Sequence, residues 1–288
     1  MATKNDIDVS YGVSNDFYRL FLDTKYMTYS CGLFLDENDS LEQAQVNKFE
    51  HHCRAAKVTA HSHILDIGCG WGSLMQYIAE SRSAKRIAGI TLSEDQYREV
   101  LRREIPHAEA HCVSYLDYQP DGLFDSVISI GMIEHIATPQ DARSGRHIDI
   151  YRDYFKRAWQ WTKPGSYFSL QSVLGLKYPR GKDLRDLAWG TYTIFPGAIS
   201  PRLESFIQSA HPYWEVREVY TRREHYARTA QKWVEQLRQH QEEVIRGWGR
   251  EKFQEYEKYL DGCVRAFSGG YLSLAQITLS RNEIPVAA

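Results

Sequence analysis

The stretch Ile64-Leu65-Asp66-Ile67-Gly68-Cys69-Gly70-Trp71-Gly72 decides the fold. His63–Ile67 reads as a short apolar strand, and it runs straight into glycines at alternate positions. A helix-like segment, Trp71–Ser81, follows at once. A strand that breaks into a glycine turn and enters a helix is the first half of a βαβ unit. Glycines belong in such a turn because a backbone without Cβ atoms can lie against a ligand. Ligands of open α/β sheets bind beyond the carboxyl ends of the strands.

Outward from this stretch the alternation repeats. Arg86–Thr91 reads as a second strand and Ser93–Arg103 as a helix, with Ala108–Val113 as a third strand. Phe124–Ile130 carries Phe124, Val127, Ile128 and Ile130 and reads as a fourth, central parallel strand. Asp141–Trp161 predicts one long helix, Pro164-Gly165 a turn and Tyr167–Val173 a fifth strand. Residues 175–212 break the pattern with Pro179, Gly181, Gly190, Pro196, Gly197, Pro201 and Pro212, and read as an insertion over the sheet. Trp214–Thr221 is a sixth strand, 226–267 is helical and Leu272–Ser280 is a last strand. Upstream, residues 11–35 carry helical spacing at Phe17, Tyr18, Leu20 and Phe21, and 41–57 read as a helix. The expected layout is a single compact domain: a helical cap (1–57), a binding core (58–174), a lid (175–212) and the rest of the core (213–288).

Composition sets limits. Of 288 residues, 43% are apolar and 25% charged, which is ordinary for a globular chain. A net charge of −2 gives no global pull toward nucleic acid or an anionic membrane, and nucleic acid is not expected as a partner. Cys31, Cys53, Cys69, Cys112 and Cys263 are odd in number with no C-x-x-C pair. That argues against a disulfide framework or a zinc site and for reduced thiols in a cytoplasm. His51-His52, His61 and His63 have no partners at metal-ligand spacing and read as surface or strand-edge residues, so no metal is expected. The polar start MATKNDIDVS carries no secretory signal. No uncharged apolar run approaches the roughly 18 residues of a membrane helix. Nineteen tyrosines and seven tryptophans are enough to line an apolar pocket, although each alone reads equally as core.

The glycine turn alone fits a tight βα connection or a dinucleotide site. G-x-G-x-G spacing, an acidic Asp66 inside the strand and the lack of a phosphate-binding Gly-Lys-Ser/Thr favour S-adenosylmethionine (SAM). Many SAM enzymes end the second strand with an acidic residue for the ribose. Here Thr91, Leu92 and Gln96 must serve, while Ser93 also reads as a plain helix N-cap.

Several separate stretches then line up in order: YGVSNDFYRLFLD (11–23), TYSCGLF (28–34), LDIGCGWG (65–72), GITLSEDQ (89–96), FDSVISIGMIEH (124–135), IFPG (194–197), HYARTAQKW (225–233) and the YL-GC-AF-GGY series (259–271). Together they resemble the cyclopropane-fatty-acid and mycolic-acid cyclopropane synthases, from about residue 11 to residue 281. The resemblance implies a class I SAM-methyltransferase fold, a Rossmann-like, mostly parallel seven-stranded α/β sheet with helices on both faces. It implies that Tyr29 and Ser30 close over the methionine end of SAM, with Asp66, Gly68 and Gly70 beneath. Thr91, Leu92, Gln96 and Tyr115 would meet the ribose and adenine. It also implies a bicarbonate ion held by a Cys, an Ile backbone, a Glu, a His and a Tyr. Cys31, Ile130, Glu134 and Tyr226 match four of these, while the His position is Gln171.

A glutamine can hydrogen-bond but cannot take up a proton. Three outcomes follow for the chemistry: cyclopropanation with an altered relay, methyl transfer to carbon in a lipid-like or natural-product substrate, or methylation of a small-molecule amine. The expected substrate wall is Trp189, Tyr192 and Phe195, which read equally as lid core. Lys177, Arg180, Lys182 and Arg185, mixed with Asp183 and Asp186, read as a solvated mixed-charge face. Glu134-His135 alone would be a helix-start pair, and a homo-oligomer is possible.

Overall fold

In a computed structural model, which describes residues 7, 11–178 and 180–285, seven strands form one sheet in the order β3-β2-β1-β4-β5-β7-β6. They are β1 (His63–Ile67), β2 (Arg86–Thr91), β3 (Ala108–Cys112), β4 (Phe124–Ile130), β5 (Thr162–Gly175), β6 (Trp214–Thr221) and β7 (Leu272–Arg281). The first five run parallel, and β7 lies antiparallel between β5 and β6. Pro164-Gly165 falls inside β5, where the register with β4 shifts, so the expected turn is a bulge. The first residues of the expected cap, and Pro179 of the expected lid, lie outside the described residues.

The helices are α1 (Asn15–Arg19), α2 (Leu41–Ala55), α3 (Ser73–Arg82), α4 (Glu94–Arg102), α5 (Pro139–Ser144), α6 (His147–Gln160), α7 (Gly181–Thr193), α8 (Leu203–Ala210), α9 (Arg223–Gln239), α10 (Gln241–Trp248) and α11 (Arg250–Ser268). Three expectations are corrected here. The long helix over 141–161 is two helices, because Gly145 adopts φ 79° and ends the first. The helical tract 226–267 is three, parted at His240 and at Gly249, whose φ is 89°. In 11–35 the described helix is Tyr11 and the five residues of α1, although Phe17, Tyr18 and Phe21 are buried. Their aromatic faces pack on α9–α11 rather than extending a helix.

Alternation along the strands sorts the core. Leu65 and Ile67 of β1, Phe168 and Leu170 of β5, and Ile277 of β7 join Tyr151, Tyr154 and Phe155 of α6. Ile64, Ile87 and Ile128 point the other way, to Phe49 and Cys53 of α2 and Leu74 and Met75 of α3. Each fully buried Leu, Ile or Phe contributes about 1.5–3 kcal/mol. On β5 the period of two therefore turns Ser169 and Gln171 toward α2. Among the described residues no helix is long and apolar enough to cross a membrane, and no cluster of side chains could hold a metal ion. All five cysteines are free.

Candidate active site

The carboxyl ends of β1, β2 and β4 meet the segment before α2 at a cleft. Tyr29, Ser30, Asp66, Gly68, Gly70, Thr91, Leu92, Gln96, Tyr115 and Ile130 all line it. The glycine turn is pinned because Gly68 N and Cys69 N both donate to Ile90 O, at 2.9 and 3.0 Å. Gly68 has φ +83°, and a Cβ there would lie 2.6 Å from Met132 Cβ, so both backbone and space demand glycine.

Tyr29 and Ser30 are held by a loop folded on one carboxylate. Asp23 accepts from the backbone N–H groups of Tyr26 (2.8 Å), Met27 (3.1 Å) and Thr28 (2.7 Å). Below the loop, Gln45 Nε2 donates to Ser30 O at 3.0 Å and Lys48 Nζ to Ser30 Oγ at 2.8 Å. Lys48 is fully buried, and burial pushes its ammonium down to about 7 against the fields of Asp23, Cys31 and Asp66. Burial likewise pushes the Asp66 carboxyl up to about 7, against Lys48. At the other end, Thr91 Oγ1 donates to Gln96 Oε1 at 2.8 Å, which leaves the Gln96 NH2 for a ligand. Ser93 does cap α4, accepting from Gln96 N.

A second group sits deeper. Glu134 lies in the short 3₁₀ turn Ile133–His135 that follows β4. Gly131 N donates to Gln171 O at 3.0 Å, and Val173 N donates to Glu134 Oε1 at 2.7 Å, so the carboxyl carries the β4–β5 ladder past the strand end. Glu134 Oε2 is buried without a hydrogen-bond partner. Burial pushes this carboxyl up to about 7, against the Val173 N–H. Burial also raises the Cys31 thiol to about 12, and its Sγ donates to Gly32 O at 3.2 Å. Tyr226 stacks on Phe267, with ring centroids 4.2 Å apart. Its hydroxyl is raised well above the usual range, by burial first and then by the fields of Cys31, Cys263 and Glu134. Tyr226 is thus within electrostatic reach of both Cys31 and Glu134. Ile130 lines the cleft and ends β4, three residues before the turn that carries Glu134.

Four residues carry roles here that the sequence reading did not assign to them. Tyr11 and His135 line the cleft, with the Tyr11 hydroxyl 3.3 Å from His135 Nε2. Burial pushes the His135 ring down to about 4, so it is neutral near pH 7. Lys48 is the third and His52 the fourth. His52 is not a surface or edge residue: it is fully buried, with Nδ1 2.8 Å from Ser169 Oγ and Nε2 3.2 Å from Gln171 Oε1. His51, its neighbour, is also largely buried. For Tyr11 the available signal was its place at the head of the 11–23 stretch, and for His135 its adjacency to Glu134.

Of the expected substrate wall, Phe195 packs against Tyr11 (5.9 Å), Tyr29 (6.2 Å) and Tyr259 (5.8 Å). Tyr192 is 73% exposed and does not reach it, and the Lys258 ammonium covers Trp189 at 3.9 Å. The charged face is sorted rather than mixed. Asp183 and Asp186 turn inward to Arg265, at 3.3 and 2.6 Å, while Lys177, Arg180, Lys182 and Arg185 stay exposed.

Comparison with known proteins accords with this geometry. The family model for mycolic acid cyclopropane synthetase matches residues 1–277. A probable fatty acid methyltransferase of Pseudomonas putida is 32% identical over 282 residues, covering 94% of this chain and 68% of that one. The cyclopropane mycolic acid synthase MmaA2 of Mycobacterium tuberculosis is 31% identical, over 96% of both chains. Its solved structure superposes with a TM-score of 0.87 at 30% identity, covering 96% of this chain and 98% of that one. The mycolic acid cyclopropane synthase CmaA1, solved with S-adenosylhomocysteine (SAH) and CTAB, gives 0.86 at 26% identity over 97% and 99%. With the glycine turn, the sheet order and this match in hand, the chain belongs to the mycolic acid cyclopropane synthetase family and is a SAM-dependent methyltransferase.

Proposed function

We propose that this enzyme transfers the SAM methyl group to a carbon nucleophile, an alkene or similar group, of a lipid-like or natural-product substrate in the cytoplasm. Glu134 carries the reading: a buried carboxyl, raised toward neutrality, with one oxygen fixed by the strand and the other without a partner. Such a group can share a proton at physiological pH. SAM supplies an electrophilic methyl on a good leaving group, so holding and aligning the reactants does much of the work. Ser30, Gly68, Gly70 and Asp66 would hold its amino-acid end, and Thr91, Leu92, Gln96 and Tyr115 its nucleoside.

Attack by an alkene leaves a positive charge on the substrate, and the aromatic rings of Tyr11 and Tyr29, which line the cleft, would favour it. They also keep water from the site. Loss of a proton then completes either a ring or a new alkene. Cys31, Ile130, Glu134, Gln171 and Tyr226 would hold a bicarbonate ion as the base. The orphaned Glu134 oxygen can share the ion's proton, while the carboxamide of Gln171 and the protonated Cys31 and Tyr226 can donate to its oxygens.

The test is expression in a host from the same biosynthetic setting, fed methionine with a trideuterated methyl group. Mass spectrometry of lipid and small-molecule extracts should show a new labelled product, absent from a Glu134→Gln control. Two retained deuteriums mean that the transferred methyl became a methylene, and three mean simple methyl transfer. Label found on nitrogen would overturn the carbon reading. Product that persists in the control would overturn the role of Glu134.

A further inference from the structure

We infer that His52, together with Gln276, is a positioning residue for Gln171: it turns the carboxamide oxygen away from the Glu134 site and so leaves Gln171 only a donor to offer there. The inference rests on the function proposed above for the use made of that donor, but the geometry stands by itself. The row starts at Arg222, whose Nε donates to Gln276 Oε1 at 3.3 Å. An arginine only donates, so Gln276 must face it with its oxygen and face Gln171 with its NH2. Gln276 Nε2 accordingly donates to Gln171 Oε1 at 2.9 Å, across the directly paired positions of β5 and β7.

His52 Nε2 meets that same oxygen at 3.2 Å. An oxygen that already accepts can only accept again, so the ring proton sits on Nε2. Nδ1 is then bare and accepts from the Ser169 hydroxyl at 2.8 Å. Ser169, Gln171 and Gln276 are all at most 2% exposed, and His52 is fully buried. No water competes for these bonds, and every group but Arg222 is locked by its neighbours. A carboxamide free of such bonds can rotate end for end, presenting either an acceptor or a donor. With two donors on its oxygen, Gln171 has only its NH2 left. Gln171 itself is tied to β4 through Gly131 N, and Val173, two residues along the same strand, holds Glu134 Oε1. The donor is therefore fixed on the residue two before the one whose N–H holds Glu134, a buried carboxyl whose second oxygen has no partner.

The row also ties the cap to the sheet. Lys48, one turn before His52 on α2, bonds Ser30, and both Lys48 and Arg222 act electrostatically on Cys31. A single helix thus supports the Ser30 end of the cleft and the Gln171 end of the deeper site.

The experiment is NMR on SAH-saturated protein, with ¹⁵N in the histidine rings and glutamine side chains. His52 should be a neutral ring carrying its proton on Nε2 between about pH 5 and 8. Gln171 should show one slowly exchanging NH2 pair, assigned by its loss in Gln171→Glu. In His52→Ala that pair should exchange roughly tenfold faster or more, and His52→Gln, which keeps an N–H donor, should restore it. SAH affinity within about twofold in these variants reports that the fold is intact. Ser169→Ala gives a second readout if His52→Ala does not fold: the ring should keep its proton on Nε2, because the Gln171 oxygen sets the tautomer. A wild-type ring protonated on Nδ1, or a Gln171 NH2 unmoved in a folded His52→Ala, would overturn the inference. Carried through the deuterated-methyl experiment, His52→Ala should lose product, as Gln171→Glu should, and His52→Gln should keep it. No labelled product from the wild type would defeat the proposed function, while the NMR result would still decide this one.

Discussion

Replacing Glu134 by glutamine should remove one contribution to the pH dependence of the ligand-free protein's stability, and the size of the effect follows from the site. The carboxyl is raised from its ordinary value of 4.5 to about 7 because it is buried. Between those values the unfolded chain has released the proton while the folded one keeps it. The folded state then binds more protons, so stability falls as pH rises through this window and levels off above about 7. A rise of about 2.5 pK units at 1.36 kcal/mol each corresponds to roughly 3 kcal/mol. At about 2.1 cal/mol/K per residue, that is roughly 5 °C in Tm for a chain of this length. Other buried groups titrate too. Asp66 acts in the same sense, and His51, His52 and His135, all pushed down by burial, act in the opposite one. The comparison must therefore be between wild type and variant, in which these terms cancel. The assay is thermal unfolding of both proteins in carbonate-free buffers from about pH 5 to 8. The Tm of Glu134→Gln minus that of the wild type should climb across this range by roughly the amount above. A difference that stays flat would show that Glu134 is already ionised in the folded protein, and the proton-sharing role would fail with it.

Gly68→Ala should destabilise by about 2–5 kcal/mol, summing a left-handed backbone with overpacking against Met132. Met132→Ala in the same chain removes the Cγ but keeps the Cβ that lies 2.6 Å from the new methyl, so it should recover little of this cost, as chemical denaturation would show. Lys48→Met removes the donor to Ser30 Oγ and should weaken SAH binding about tenfold by calorimetry. Unchanged affinity would mean that Ser30 is placed by Gln45 alone. Glu99 is buried, which works against its charge, yet hydrogen bonds from Arg102 and Arg103 and the nearby Arg19 hold its carboxyl down at about 2. Its contribution is complete above the unfolded carboxyl range and is lost as pH falls through about 2. Glu99→Gln should therefore cost about 3 kcal/mol near pH 7 and much less near pH 2.

The parts of the molecule legible in its sequence are those where one local rule decides the outcome. The strand, glycine turn and helix around Gly68 follow from backbone sterics within nine residues. β4 announces a central strand through Phe124, Val127, Ile128 and Ile130, and its Ser126 and Ser129 find backbone acceptors inside the protein. The helix breaks at Gly145 and Gly249 escape such reading, because a glycine inside a helical pattern costs only about 1 kcal/mol and helices often tolerate it. Only packing decides whether it ends one. His52 is harder still. On α2 it follows His51, and nothing within that helix distinguishes a surface pair from a buried one. What distinguishes them is a polar stripe on a different element: Ser169 and Gln171 alternate with the apolar Phe168 and Leu170, so one face of β5 must bury polar groups. That stripe needs partners, and Gln276, set opposite Gln171 by the antiparallel register, supplies only part of the need. A buried polar face is visible in sequence as an unmet demand, and the residue that meets it can come from any element the fold brings across. In this chain the demand is met from α2, which also carries the lysine beneath Ser30, so the expected helical cap helps to build the site it covers.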